Sequence, residues 1–142
     1  MRLHRGLATL VIGTLAATAA PLAPAHAEPG WRTAVTWRDA RAQICTEVSA
    51  DGSAVVRVRM NNRRGEAKVS AGIASVRANG KPDRSLVTTR FVGAGRTSAA
   101  VHYGKLTAAD AFFVDIAHMT DEGAGIVKTS ATPFLVSAQT PC

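Results

Sequence analysis

The chain has 142 residues, 46% of them hydrophobic, and its 17 basic residues outnumber the 10 acidic ones to give a formal charge of +7. That length is sufficient for one domain that buries a core without help from a metal, and the absence of any internal repeat or heptad excludes repeat and coiled-coil architectures. The basic balance favours acidic partners but does not determine the fold.

Residues 1–27 have the features of an export signal. A short cationic start, Met1–Arg5, precedes an apolar run, Leu7–Ala20, that is too short to span a bilayer. Ala25–Ala27 is a small-x-small triplet of the kind that signal peptidase cleaves. We therefore predict a signal peptide at 1–27 and one secreted domain at 28–142.

Cleavage between Ala27 and Glu28 changes the charge of the product. Removing Arg2 and Arg5 leaves 15 of the 17 basic residues against 10 acidic ones, a formal charge of +5. No cysteine stands at the end of the leader, and no later apolar run is long enough to span a membrane. We expect a free secreted product, and a composition rich in Ala, Arg and Gly is typical of a high-GC bacterial genome.

Both cysteines of the chain, Cys45 and Cys142, lie in the predicted mature part. An exported protein with two cysteines has one intramolecular pairing, and oxidation is its expected state. A bridge between two chains through the C-terminal cysteine is the alternative. The intramolecular disulfide would close a loop of nearly the whole domain.

Short alternating segments dominate the predicted mature chain. Val56, Val58 and Met60 alternate with two arginines, and Asp51-Gly52 stands just before them, which predicts a hairpin with a tight two-residue turn. No segment from Thr33 onward keeps a helical period over three turns, although residues 106–110 resemble a short helical turn or corner. The predicted strands cover 33–37, 42–49, 54–60, 67–77, 85–92, 97–103 and 111–118. Pro133 interrupts the final region, which is one edge strand or two short pieces at 126–127 and 134–138.

Seven to eight short strands joined by Gly, Asn and Asp turns predict an all-β protein, a single antiparallel β-sandwich. Leu106, then Phe112, then Val114 and Ile116 at alternate positions resemble the E-to-F corner of immunoglobulin-like and fibronectin type III domains. The resemblance covers Val101 to His118 and implies an immunoglobulin-like sandwich. Phe112 replaces the tyrosine usual at this corner, and no function is implied, because the fold carries many.

The sequence contains no recognisable catalytic or metal motif. His102 and His118 have no second ligand at metal spacing, and His118 lies three residues from Asp115, on the opposite face of a strand. No serine stands in a nucleophile motif, and the Asp121-Glu122 pair lacks a calcium-loop pattern. We therefore predict neither enzymatic activity nor any cofactor or metal.

Basic residues form the one suggestive set. Arg57 and Arg59 share a strand face, Arg63 and Arg64 lie in the following loop, and Lys68 begins the returning strand. If strands 54–60 and 67–77 pair, these five cations cluster on one hairpin and form a candidate patch for an anion or a partner. Charged strand edges that prevent aggregation are the other explanation for such a pattern.

These features predict a small, secreted, non-catalytic binding protein of the bacterial cell exterior. We expect its partner to be an anionic envelope polymer or a protein. We expect no specific nucleic-acid binding, because no aromatic residues interleave the cations to stack bases. We expect a monomer. The alternative is a secreted protease inhibitor whose 61–65 loop presents Arg63 or Arg64 to a trypsin-like enzyme.

Overall fold

The computed structural model describes residues 30–142, so the predicted signal peptide and its cleavage site lie outside the described residues. The described part is built almost entirely of β-strands, with one short 3-10 turn at Val136–Ala138. The strands are β1 (Arg32–Trp37), β2 (Ala40–Val48), β3 (Ser53–Asn62), β4 (Val69–Val76), β5 (Pro82–Thr88), β6 (Arg96–Thr97), β7 (Val101–Thr107), β8 (Ala111–Thr120), β9 (Gly123–Thr129) and β10 (Phe134–Leu135).

Two antiparallel sheets make up the fold. Sheet I has the order β1-β2-β3, and both β6 and β7 pair with the far side of β3. Sheet II has the order β5-β4-β8, and both β9 and β10 pair with the far side of β8. The architecture is a β-sandwich-like all-β fold, as predicted at that level.

One apolar core lies between the sheets. Alternate residues of β3 point into it, and so do alternate residues of β8, including Phe112, Val114 and Ile116, all fully buried. This confirms the face assignment made from the alternating pattern. The remaining core comes from β1, β2, β4 and the 3-10 turn, with Val35, Ala40, Ala42, Ile44, Val69, Ala71, Ile73 and Val136 buried.

The fourth strand, predicted at 67–77, is central in sheet II. β4 lies between β5 and β8, and all six residues from Val69 to Ala74 are buried. A strand with neighbours on both sides has little exposed surface, so small and apolar residues are found on both of its faces.

The β2–β3 hairpin forms as predicted, but its turn is different. Ser49 and Ser53 close a three-residue loop, in which the Ser49 amide donates to the Ser53 carbonyl at 2.8 Å. Gly52 has φ 82°, whereas Asp51 keeps a negative φ and accepts hydrogen bonds from the Ser53 amide and hydroxyl. The prediction of a two-residue turn with both φ positive was therefore wrong, because Asp51 bonds to Ser53 and leaves Gly52 alone in the left-handed conformation.

A two-residue turn with both φ positive occurs instead between β1 and β2. Trp37 pairs with Ala40, and the turn residues Arg38 and Asp39 have φ 44° and 63°. Asn-Gly and Asp-Gly are the usual residues here, since a side chain in the left-handed region costs about 1–2 kcal/mol. Without glycine or asparagine, this turn carried no sequence signal.

Replacing Arg38→Asn together with Asp39→Gly is expected to raise the free energy of unfolding by about 1–2 kcal/mol, because the strained conformation becomes an ordinary one. Urea unfolding of both proteins measures the difference. The matched control is Asp121→Asn with Glu122→Gly in the β8–β9 turn, where neither residue has a positive φ and no gain is expected. An equal gain in both variants would contradict the strain argument.

The region between β6 and β8 departs from two predictions. The single strand predicted at 97–103 is two strands, β6 and β7; between them the Ser98 hydroxyl accepts from the Met60 amide at 2.9 Å, and the Ser98 amide donates to the Met60 carbonyl at 2.8 Å. The segment predicted as a short helical turn or corner, 106–110, begins as strand: β7 continues through Gly104 to Thr107. Only the corner after Thr107 turns, and the Asp110 carboxylate accepts from the Thr107 amide at 2.7 Å.

The predicted disulfide between Cys45 and Cys142 is present, with Cα atoms 5.0 Å apart across 97 residues of sequence. It fastens the C-terminal residues along the part of β2 that β1 leaves unpaired. There the Thr46 amide donates to the Thr140 carbonyl, and the Cys142 amide donates to the Thr46 carbonyl, both at 3.0 Å. Gly30, with φ 89°, packs against Cys142, so both ends of the described chain meet at this bridge.

The edge strands of both sheets are irregular. The pairings of β1, β5, β7 and β9 with their neighbours each contain a register shift, whereas the central β2–β3 and β4–β8 ladders contain none. Bulged edges are poor templates for another strand, because their hydrogen-bonding groups are out of register.

Candidate functional site

The five cations of the predicted patch do not share one hairpin. β3 lies in sheet I and β4 in sheet II, so the pairing on which that cluster depended does not form. Arg57 and Arg59 stay together on the outer face of sheet I. Arg63 and Arg64 lie exposed in the connection between the sheets, and Lys68 stands just before β4. The cluster was expected because consecutive strands often pair with each other. Here the chain instead crosses from sheet I to sheet II between β3 and β4.

Arg57 stands at the centre of the outer face of sheet I. Its guanidinium contacts Glu47 at 3.0 Å, and both side chains are nearly half exposed. An ion pair this open adds little stability. His102 of β7 lies directly opposite Arg57 in the ladder and is also exposed.

Arg59 is held more firmly than Arg57. Its Nε donates to the Gln43 side-chain oxygen at 2.9 Å, and its guanidinium lies 4.4 Å from the ring centroid of Trp31. Asn61 Nδ2 also points to the Gln43 oxygen, at 3.4 Å. Stacking on an aromatic ring and a fixed hydrogen bond reduce the entropy that an arginine loses on binding.

Arg41 extends this row of cations. It lies opposite Asn61 in the β2–β3 ladder, next to the row that holds Gln43 and Arg59. Because side chains on one face recur every second residue, successive rows are about 6.7 Å apart. Arg41, Arg59 and Arg57 therefore occupy three adjacent rows. We call these three arginines together with Trp31 the arginine face.

Two members of the arginine face were missed in the sequence. Trp31 stands before the first predicted strand at 33–37, and Arg41 stands just before the predicted start of its strand at 42. The alternation of Arg41, Gln43 and Glu47 on β2 was the available signal. Which residues of β3 lie beside these could not be predicted without the pairing register of the two strands.

Sheet II carries a buried carboxylate on its outer side. Asp115 is 2% exposed and lies directly opposite Gly72 of β4. A Cβ on Gly72 would overlap the Asp115 carboxylate, so only glycine leaves room for it. Burial raises the pKa of Asp115, and a hydrogen bond from the Ser85 hydroxyl at 3.3 Å lowers it by less.

Asp115→Asn is expected to stabilise the protein increasingly as the pH rises. Above about pH 3.9 the unfolded chain ionises this group, while the folded chain keeps its proton up to the raised pKa. The folded state then binds more protons, so the free energy of unfolding of the natural protein falls as the pH rises through that interval. An amide at this position has no such cost. Denaturant unfolding of both proteins from pH 3 to 7 measures the difference, and a difference independent of pH would contradict the account.

Asp115 and His118 do not form a dyad in the described structure. The Asp115 carboxylate accepts from Ser85, whereas the His118 ring stacks on Trp37 with centroids 5.1 Å apart. Among residues 30–142, no group of three or more His, Cys, Asp or Glu side chains is placed to hold a metal ion. No helix in this part of the chain is long and apolar enough to cross a membrane.

No protein-family model, no curated protein and no solved structure matches the chain. Its function therefore has to be inferred from its own residues and their geometry.

Proposed function

We propose that the chain is a small, secreted, non-catalytic binding protein of the bacterial cell exterior, and that the arginine face binds an anionic polymer. The observation that carries this proposal is the placement of three guanidinium groups in adjacent rows of one open sheet face. A linear polyanion laid along β3 meets Arg57, Arg59 and Arg41 in turn. Arginine suits this role, because its planar fork binds carboxylate, sulfate or phosphate through two parallel hydrogen bonds.

The balance of charge on this face supports an anionic partner. Glu47 lies on this face and is already paired with Arg57. The predicted mature chain also carries an excess of positive charge, which attracts polyanions over a distance set by the salt concentration. A protein partner with an acidic surface would meet the same groups.

We also propose that the sandwich is immunoglobulin-like and monomeric. The resemblance at Val101 to His118 supports the first part, since β7 lies in sheet I and β8 in sheet II, as strands E and F do in that family. The irregular pairing of the edge strands supports the second part. A disulfide is compatible with the predicted export, since such bonds persist outside the cytoplasm.

Binding of the chain without its predicted signal peptide to dextran sulfate, with uncharged dextran of equal length as control, tests the proposal. Three phosphate-like contacts predict an affinity for dextran sulfate that falls about 20-fold to 40-fold between about 50 and about 200 mM salt. Uncharged dextran should not bind. Equal binding of both polymers, or an affinity that does not change with salt, would contradict an anionic-polymer function.

A second candidate, a protease inhibitor, is favoured by the bracing of the Arg63–Arg64 loop. The Asn62 side-chain amide donates to the carbonyls of Ala67 at 2.7 Å and Val92 at 3.1 Å, which fixes the loop from inside while both arginines stay exposed. A rigid loop binds a protease with little loss of entropy. Inhibition of trypsin that disappears on Arg63→Gln or Arg64→Gln would establish this function, and no inhibition by the natural protein would exclude it.

A further inference from the structure

A second polar site lies at one end of the sandwich. It is a cleft of about 680 Å³ between the β1–β2 turn, the connection between the sheets and the end of β8. That volume falls in the range that small-molecule sites occupy. We call it the end cleft, and its lining residues are Arg38, Asp39, Arg64, Glu66, Ala67 and His118.

The end cleft contains two positive and two negative side chains that do not neutralise one another. Neither Arg38 nor Arg64 forms an ion pair with Asp39 or Glu66 among the described residues. All four side chains are exposed. Here their hydrogen-bonding groups remain available to a molecule that carries both signs.

Aromatic stacking fixes one wall of the cleft. The Arg38 guanidinium lies 4.7 Å from the Trp37 ring centroid, and that ring also contacts the half-buried imidazole of His118 at an interplanar angle of 44°. These contacts order Arg38 before any ligand arrives, which lowers the entropy lost on binding.

The backbone of the β1–β2 turn at the cleft is strained, although other residues would form the same turn without strain. Asn-Gly would form the same turn at lower cost, yet Arg38 and Asp39 occupy it at φ 44° and 63°. Gly65 approaches this turn so closely that a Cβ there would lie 3.0 Å from the Arg38 carbonyl oxygen. Strained conformations are concentrated at functional sites, where the side chains they place are needed.

We propose that the end cleft binds a small zwitterion of the amino acid or short peptide class. Arg38 and Arg64 bind the carboxylate, and Asp39 and Glu66 bind the ammonium group. The lining carries equal numbers of positive and negative charges, so a ligand with a single charge leaves two like charges without a partner, at a cost in affinity. This site goes beyond the polyanion proposal and shares no residue with the arginine face.

Titration with glycylglycine, followed by NMR of the His118 and Trp37 ring signals, tests the proposal. We expect saturable shifts at millimolar concentration, and at least tenfold weaker binding of N-acetylglycine, which lacks the ammonium group, and of glycinamide, which lacks the carboxylate. Equal binding of all three probes, or shifts that do not saturate, would overturn the proposal.

The turn variant Arg38→Asn with Asp39→Gly separates folding from binding. It is expected to melt at a higher temperature than the natural protein and to bind glycylglycine at least tenfold more weakly. A second variant, Arg64→Gln with Glu66→Gln, leaves the turn unchanged and should lose affinity similarly, whereas Arg57→Gln, on the arginine face, should have no effect. Undiminished binding by either cleft variant would refute the assignment.

Discussion

Replacing both Cys45 and Cys142 by alanine is expected to lower the free energy of unfolding by about 4–5 kcal/mol. The bridge joins residues 97 positions apart, and closing a loop of about 100 residues restricts the unfolded chain by about 4.7 kcal/mol. Alanine suits both sites, because Cys45 is fully buried and the smaller side chain adds no polar group to that position. Such a loss is large beside a typical domain stability of about 5–15 kcal/mol.

Urea unfolding at equilibrium, monitored by circular dichroism, measures this difference. The natural protein unfolded in a strong thiol reductant is the internal control, since it loses the same constraint without any change of side chain. Both should unfold at a similarly reduced urea concentration. If the double variant does not fold, the reduced natural protein alone gives the value. A loss below about 1 kcal/mol in either would show that the bridge does not constrain the unfolded chain as proposed.

Changing Arg41, Arg57 and Arg59 to glutamine is expected to weaken dextran sulfate binding about 100-fold. Each guanidinium that forms a hydrogen bond on an exposed surface contributes roughly 1 kcal/mol to binding, and three such losses amount to about two orders of magnitude. Glutamine keeps a polar side chain at each position, so the sheet should remain folded. The Arg57 contact with Glu47 is exposed and adds little stability.

The matched control removes three cations from sheet II and its flanks: Lys81, Arg84 and Arg90, all exposed, become glutamine. The two variants have the same net charge, so any difference between them reports the position of the charge. We expect the control to bind less than fivefold more weakly than the natural protein. Equal losses in the two variants would mean that overall charge alone attracts the polymer.

Local patterns predicted the strands well, because alternation is a property of neighbouring residues. The alternation of apolar and polar residues correctly predicted which side chains face the core, including Val56, Val58, Met60, Phe112 and Val114. The β2–β3 hairpin was also within reach of local reasoning. Its turn was not, since the choice between two and three residues depended on the side chain of Asp51.

The pairing of strands that are distant in the chain could not be predicted from the sequence. Nothing in residues 54–77 indicates that the chain crosses from sheet I to sheet II after Asn62, and the five-cation hairpin was wrong for that reason. The strained Arg38-Asp39 turn lacks the glycine that marks such turns. The fit of the Asp115 carboxylate opposite Gly72 depends on a register between strands more than 40 residues apart in sequence.

The slope of affinity against salt concentration tests the role of the arginine face most directly, because it counts the cations that contact the polymer. The logarithm of the dextran sulfate affinity should fall with the logarithm of salt for the natural protein. In the variant with Arg41, Arg57 and Arg59 changed to glutamine, the slope should be smaller in magnitude by about 2–3, at roughly 0.7–0.9 for each lost contact. The Lys81, Arg84 and Arg90 control should keep the natural slope. An unchanged slope in the arginine-face variant would contradict the account, since those arginines would then not contact the polymer.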